Sequence, residues 1–136
     1  MENKCVGFIR SNSWADISLG HGEYNGYVAV PPTNKYHGKS YLDIDEIISV
    51  HGGLTFSEPA SYEKIVFSPN HEVLFKCTGK RNPVLTDAEI FTENKEIGDD
   101  WWIFGFDTFH SGDTPEEWDR AAVIAETERL LEQLEN

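Results

Sequence analysis

The C-terminal part of the chain carries the feature that most restricts the fold, because it combines a helix start signal with helical periodicity. Thr114 is followed by Pro115 and, three residues after Thr114, by Glu117. This is the spacing of an N-terminal capping box, in which the threonine is the N-cap and the glutamate bonds back to it. Apolar residues then recur at helical spacing up to Leu134. The pattern predicts a helix over residues 115–134.

The apolar residues of this predicted helix fall on two of its sides. At 100° per residue Trp118 and Ala125 lie together, with Ala122 beside them, while Val123 and Leu134 lie nearly opposite. We therefore expect the helix to make contacts on two sides.

Short segments rich in β-branched and aromatic residues, bounded by glycine, proline or other turn residues, predict strands in the rest of the chain. These segments are 25–30, 46–50, 54–57, 65–67, 73–77 and 101–106. The last is an almost continuous apolar run, which favours a buried central strand. Together with the helix, the strands predict an α+β fold: a mostly antiparallel sheet of about four to six strands with the C-terminal helix packed on it.

Length and composition set the broad class. The 136 residues suit a single domain, 1–136, and a hydrophobic content of 39% with 12% aromatic residues is enough for a core. No run approaches the roughly 18 apolar residues of a membrane span, and the N-terminus lacks a signal-peptide pattern. We expect a cytoplasmic protein without membrane contact.

The net charge narrows the classes of partner that the chain can bind. The chain has 24 acidic against 11 basic residues, a formal net charge of −13. Such a chain repels phosphate backbones and anionic lipid headgroups, which argues against nucleic acid as a partner. A metal ion, a small-molecule ligand and a basic protein surface stay compatible, and a homo-oligomer is also open.

Cysteine usage indicates a reducing compartment. The sequence has two cysteines, Cys5 and Cys77, without a CxxC pair or a zinc-finger cluster. We expect two buried or half-buried free thiols, with a disulfide between them as the less favoured alternative.

Polar residues suited to chemistry follow two of the predicted strands. One group has glycines that admit positive φ and a close approach of other groups, and the other lies in a single loop. The candidate site residues are His51, Gly52, Gly53, Asp107, His110 and Asp113. If the two strands are neighbours, these side chains converge.

Three interpretations of this candidate site stay open. Two histidines and two carboxylates can ligate zinc, manganese or iron and leave a water position for hydrolysis. The same groups can instead hydrogen-bond a polar organic ligand that stacks on an aromatic ring. The rings available for stacking are Tyr27, Phe56, Trp101, Trp102 and Phe109. In the third interpretation the polar groups only cap turns, and Asp113 is stabilised by the helix that follows it.

Four segments of the sequence resemble a family of small proteins of tailed phages and prophages. They are NGYVAVP at 25–31, VHGGLTF at 50–56, WIFGFD with HSGD within 102–113, and AETERL at 125–130. The resemblance implies a phage accessory protein acting in the host cytoplasm. By analogy, such proteins act against host defence by sequestering or cleaving a nucleotide signal or by masking a host protein.

The resemblance and the residues together favour one function, with two alternatives. The favoured hypothesis is a phage accessory protein that binds a small polar, nucleotide-like ligand around His51, Asp107, His110 and Asp113 and so sequesters a host defence signal. The first alternative is a metal-dependent hydrolase that uses these four residues as ligands. The second is an acidic protein that masks a basic host surface.

Overall fold

The computed structural model describes most of the chain. The described residues are 4–11, 22–60, 63–67, 72–77, 85–108, 110 and 112–135, without the side chains of 11, 63–67, 72–77 and 85–88. They form seven strands and two α-helices. The strands are β1 (Val6–Ser11), β2 (Tyr24–Val30), β3 (Phe56–Pro59), β4 (Glu63–Phe67), β5 (Glu72–Cys77), β6 (Leu85–Ile90) and β7 (Trp102–Phe106), and the helices are α1 (Tyr41–Ile44) and α2 (Arg120–Glu135).

All seven strands join one antiparallel sheet in the order β3-β7-β2-β1-β6-β5-β4. Helix α2 packs on β2 and β1. The predicted α+β class, with an antiparallel sheet and a C-terminal helix packed on it, is confirmed. The predicted number of strands was too low, because β1 and β6 were missed. In β6 the sequence LTDAEI places Thr, Asp and Glu among the apolar residues, so its alternation is weak.

Both faces of the sheet are buried at β1, β2 and β7. Successive side chains of a strand point to opposite faces, and in β7 both Ile103 and Phe104 are fully buried. One buried set, the helix-side cluster, consists of Cys5, Ile9, Val28, Val30, Tyr36, Ile44, Ile48, Val50, Leu54, Phe104, Phe106, Val123, Leu130 and Leu134. The other, the opposite-face cluster, consists of Val6, Phe8, Tyr27, Ala29, Ala60, Ile90 and Ile103. Strand β7 is buried and pairs on both sides, with β2 and β3, so it lies inside the sheet as predicted, one strand from the edge.

Helix α2 begins five residues later than predicted. The Thr114 hydroxyl accepts a hydrogen bond from the Glu117 N–H at 3.1 Å, as an N-cap does, but it closes only a turn. The helix itself begins after Asp119, whose Oδ1 accepts from the Ala122 N–H at 3.0 Å. Asp119 is therefore the N-cap of α2.

Helix α2 buries one apolar side against the sheet, and its contacts on a second side are polar ones with residues 49–51. The prediction of a second apolar side around Ala125 was wrong. The buried residues of α2 are Val123, Thr127, Leu130 and Leu134, which share one stripe, while Ala125 is exposed. The second side was inferred largely from Trp118, and Trp118 lies in the turn before the helix.

The close approach of α2 to the sheet depends on a glycine. A Cβ at Gly26 in β2 would overlap the Thr127 hydroxyl and the Phe106 ring. The Thr127 hydroxyl donates to the Val123 carbonyl at 2.6 Å, so this buried polar group is satisfied within the helix.

The prediction of a strand over 46–50 was wrong. Backbone N–H groups of Ile47 and Ile48 donate to the Ile44 carbonyl, each at 3.0 Å, so α1 runs into a further turn. The chain then continues over 48–54 without strand pairing, the Thr55 N–H donates to the Gly105 carbonyl of β7 at 3.0 Å, and β3 begins at Phe56. Because Ile48, Val50 and Leu54 enter the helix-side cluster from this irregular segment, their apolar character reflects burial without a strand.

The remaining sequence predictions concern thiols and membranes. Cys5 is a buried free thiol, as expected, and the disulfide alternative does not form. Burial, followed by the charge of Glu135, raises the pKa of Cys5 to about 12. The Cys77 side chain lies outside the described residues, as does Phe109. Neither helix in the described part of the chain has the length and apolarity needed to cross a membrane.

Candidate functional site

Buried polar groups hold the chain in place where it leaves strand β7. Thr108 is fully buried, and its N–H donates to the Asn25 side-chain oxygen at 3.0 Å. The Thr108 hydroxyl donates to the Tyr24 carbonyl at 2.8 Å. Because Tyr24 and Asn25 belong to β2, the chain leaving β7 is tied to its neighbour just before His110.

A tight turn then directs the Asp113 carboxylate back toward His110. The Asp113 N–H donates to the His110 carbonyl at 2.9 Å, and the His110 N–H donates to Asp113 Oδ2 at 3.0 Å. Gly112, within the turn, has φ +93°, a conformation that glycine adopts without steric cost.

His51 reaches the same place from the irregular 48–55 segment. Its N–H donates to Glu126 Oε2 on α2 at 2.7 Å. The chain then turns through Gly52 and Gly53, at φ +69° and +81°. A Cβ at Gly52 would overlap the His110 ring, so glycine is needed there for conformation and for space.

The Asp113 carboxylate joins the two imidazoles. His51 Nε2 lies 3.0 Å from Asp113 Oδ1 and 3.1 Å from Oδ2, and His110 Nδ1 lies 3.0 Å from Oδ2. The two rings meet edge to face, with centroids 5.0 Å apart. We call His51, His110 and Asp113 the histidine cluster; one ligand atom from each lies within 4.8 Å of the other two.

Asp107 sits on the far side of the His110 ring. Its Oδ1 is 3.5 Å from His110 Nε2, whereas Asp113 contacts the other ring nitrogen, Nδ1. Asp107 is thus a partner of His110 beyond the histidine cluster, and its carboxylate does not join the three ligand atoms.

The histidine cluster is buried at the carboxylate and open at the imidazoles. The side chain of Asp113 is 6% exposed, against 24% for His51 and 34% for His110. Burial alone would raise the pKa of Asp113, but the hydrogen bonds from the His110 N–H and from both imidazoles outweigh it and lower that pKa. The carboxylate is therefore ionised at neutral pH.

Two residues at the site were not among the candidates predicted from the sequence. The Trp118 ring lies against the His51 ring with centroids 4.1 Å apart, and Glu126 accepts from the His51 N–H. The pKa of Glu126 is lowered, first by its hydrogen bond from Arg129 and also by the His51 N–H. Both contacts join residues more than 60 positions apart, so no local sequence pattern predicts them.

The aromatic residues predicted to stack on a ligand lie elsewhere. Tyr27 belongs to the opposite-face cluster, where it stacks on Phe8 at 5.2 Å and meets Phe56 edge-on at 5.5 Å. Trp101 packs against that cluster too. Trp102 is at the other end of β7, and its Nε1 donates to the Lys39 carbonyl at 2.9 Å. Strand alternation explains why Tyr27 faces away from α2.

The histidine cluster has the donor set of a metal site. Two imidazoles and one carboxylate are ligands for zinc and for iron or manganese. Two donors bound at about 2.1 Å in a tetrahedral site lie about 3.4 Å apart. The contacts of Asp113 with the two imidazoles are hydrogen bonds at 3.0 Å, a few tenths of an ångström shorter than that separation. A metal ion would replace the ring protons that these hydrogen bonds use.

No protein-family model, curated protein or solved structure matches this chain.

Proposed function

We propose that the chain binds one divalent transition-metal ion through His51, His110 and Asp113, and that it is a metal-dependent hydrolase. The observation that carries this proposal is the convergence of three ligand atoms from two distant segments within 4.8 Å. Catalytic zinc sites typically use three protein ligands and keep a fourth position for water. The half-exposed imidazoles leave solvent access to such a position.

Asp107 fits a supporting role in such a centre. A metal-ligating histidine commonly donates its other ring N–H to a carboxylate, which fixes the ring and its tautomer. With His110 Nδ1 facing the ion, Nε2 faces Asp107 Oδ1 at 3.5 Å. The proposal therefore has three ligands and one supporting carboxylate, where the sequence suggested four ligands.

Binding of a small polar ligand without a reaction is the second candidate. The exposed edges of His51 and His110, together with the 30% exposed Asp107, offer hydrogen-bonding groups to such a ligand. A nucleotide-like ligand at this site would lie near the carboxylates of Asp107, Asp113 and Glu126. The nearby Arg129 is paired with Glu126, which offsets its positive charge. These carboxylates repel phosphate unless a bound cation offsets their charge, so the metal proposal also accommodates this ligand class.

The phage origin, the sequestering of a defence signal and the masking of a basic host surface stay predictions from the sequence. Masking rests on the net charge of −13. Such binding weakens steeply as salt rises, whereas a metal centre made of a buried carboxylate and two imidazoles is much less sensitive to ionic strength.

A metal titration tests the proposed function. Chelator-treated protein is titrated with Zn²⁺ by calorimetry and with Co²⁺ by visible absorption. We expect one ion per chain, and a loss of more than about 100-fold in affinity in His51→Ala, His110→Ala and Asp113→Asn, since removing a ligand should exceed the 10–100-fold typical of outer partners. The control is His37→Ala, whose ring contacts the Asp100 carbonyl outside the cluster.

The reaction is tested on the same preparations. Zinc-loaded wild type is expected to hydrolyse a nitrophenyl ester or a bis(nitrophenyl) phosphodiester, and Asp113→Asn is expected to lose that activity. Native mass spectrometry of the purified protein shows whether an organic molecule is bound instead. A wild type that takes up no metal, or takes it up equally in all variants, contradicts the proposal.

A further inference from the structure

The position of His51 depends on contacts outside its own segment. In the described part of the chain residues 48–54 belong to no strand, and Thr55 makes the first backbone hydrogen bond to one, from its N–H to the Gly105 carbonyl of β7 at 3.0 Å. Immediately after His51, Gly52 and Gly53 turn the chain at positive φ. Glycines leave the backbone more conformational freedom than other residues, so holding an imidazole beside this turn takes a restraint in addition to the burial of Val50 and Leu54.

Helix α2 supplies that restraint through three polar side chains on one stripe. Glu126 Oε2 accepts from the His51 N–H at 2.7 Å. Gln133 accepts from the Ser49 N–H and donates to the Ser49 carbonyl, both at 2.7 Å, and Arg129 donates to the same carbonyl at 3.2 Å. Every one of these bonds ends on the backbone of residues 49–51.

Glu126 is itself held in place. Arg129 donates to both of its carboxylate oxygens, with Nε–Oε1 and Nη2–Oε2 each at 3.0 Å. The side chain of Glu126 is 15% exposed, and the neighbouring Thr127 is fully buried against the sheet. The acceptor for His51 thus lies beside the stripe of α2 that packs on the sheet.

We propose that Glu126 is a positioning residue that holds His51 against Trp118 with Nε2 toward Asp113, ready to ligate. This inference rests on the proposed metal function for its purpose. The bond from Glu126 to the His51 N–H fixes the position of the His51 backbone. The Trp118 ring, with its centroid 4.1 Å from that of the imidazole, and Asp113 Oδ1, 3.0 Å from Nε2, fix the direction of the ring.

Two substitutions separate the effect of the length of the Glu126 side chain from the effect of its charge. Glu126→Gln keeps the length and one acceptor oxygen for the His51 N–H but removes the charge and one of the two bonds from Arg129. Glu126→Asp keeps the charge but is one methylene shorter, so it no longer reaches the His51 N–H. Glu126→Ala removes both. Glu128→Ala, on the exposed side of α2, is the matched control for loss of a helix carboxylate.

The first readout is zinc affinity. We expect Glu126→Gln and Glu128→Ala to stay within about threefold of wild type, and Glu126→Asp and Glu126→Ala to lose about tenfold or more, as outer partners of metal ligands do. If Glu126 acted only through its charge, Glu126→Asp would bind better than Glu126→Gln. That order, or an unchanged Glu126→Ala, overturns the inference.

The second readout needs no metal. In metal-free protein at one fixed pH, the Trp118 ring current shifts the His51 ring protons upfield in the NMR spectrum. We expect this shift in wild type and Glu126→Gln, and its loss in Glu126→Asp and Glu126→Ala. Circular dichroism confirms that each variant is folded. A wild type that binds no zinc contradicts the proposed function, while the ring shifts still decide the role of Glu126.

Discussion

Replacing Gly52 with alanine perturbs the histidine cluster from a residue that contributes no ligand. Gly52 has φ +69°, and a Cβ there would overlap the His110 ring. The substitution therefore adds backbone strain and also pushes His110 away from Asp113. Gly38 provides the matched control, because it has φ +85° and a Cβ there meets nothing within 4 Å.

The structure allows the two effects to be separated in magnitude. A left-handed conformation costs a non-glycine residue about 1–2 kcal/mol, which both variants share. Displacing the His110 ring also disrupts its 3.0 Å hydrogen bond with Asp113. A hydrogen bond to an ionised carboxylate stabilises the native state by about 1.5–3 kcal/mol. We expect Gly52→Ala to be less stable than Gly38→Ala by about 1.5–3 kcal/mol, or about 5–10 °C in melting temperature for a chain of this size.

The assay is urea unfolding in the presence of a chelator, followed by zinc titration of each variant. Gly38→Ala should bind zinc as wild type does, and Gly52→Ala should bind at least about tenfold more weakly, as expected when a ligand loses its support. Equal unfolding free energies together with equal zinc affinities would refute the reasoning.

Three further predictions address other parts of the account. Asp107→Asn should weaken zinc binding about 10–100-fold by titration while unfolding without metal changes little; unchanged affinity would remove Asp107 from the site. Asp119→Ala should destabilise the protein by about 1 kcal/mol in urea unfolding and Thr114→Ala by less, because Asp119 caps α2; the reverse order would restore the predicted capping box. Raising pH should destabilise the protein through Cys5, whose pKa is about 12 when folded against 9.0 ordinarily. That stabilisation is complete below pH 9 and declines between pH 9 and about pH 12. In Cys5→Ala the part of the fall in unfolding free energy between pH 7 and pH 10 that comes from this thiol should be lost.

The sequence predicts the fold class because its strongest local signals agree with tertiary structure. The apolar run before Phe106 is buried on both faces of β7, and the C-terminal periodicity corresponds to α2. The start of α2 was misplaced because Thr114 and Asp119 both have capping chemistry, and local sequence does not show which turn continues. The 46–50 segment was misassigned because burial alone accounts for Ile48 and Val50.

The candidate site could be predicted as a set of residues and only partly as an arrangement. Polar side chains beside glycines at the ends of apolar segments pointed to His51 and His110, which the fold brings together. Which carboxylate joins them depends on the turn that directs Asp113 inward and leaves Asp107 on the far ring nitrogen. Glu126 was out of reach, because its contact with His51 depends on how α2 packs on the sheet.

X-ray absorption spectroscopy of the zinc-loaded protein identifies the atoms around the ion and so shows whether the histidine cluster ligates it. We expect two imidazole nitrogens at about 2.0–2.1 Å and a carboxylate oxygen at about 2.0–2.2 Å, with one imidazole lost in His51→Ala. A zinc ion surrounded by oxygen alone, or an unchanged spectrum in that variant, would contradict ligation by the histidine cluster.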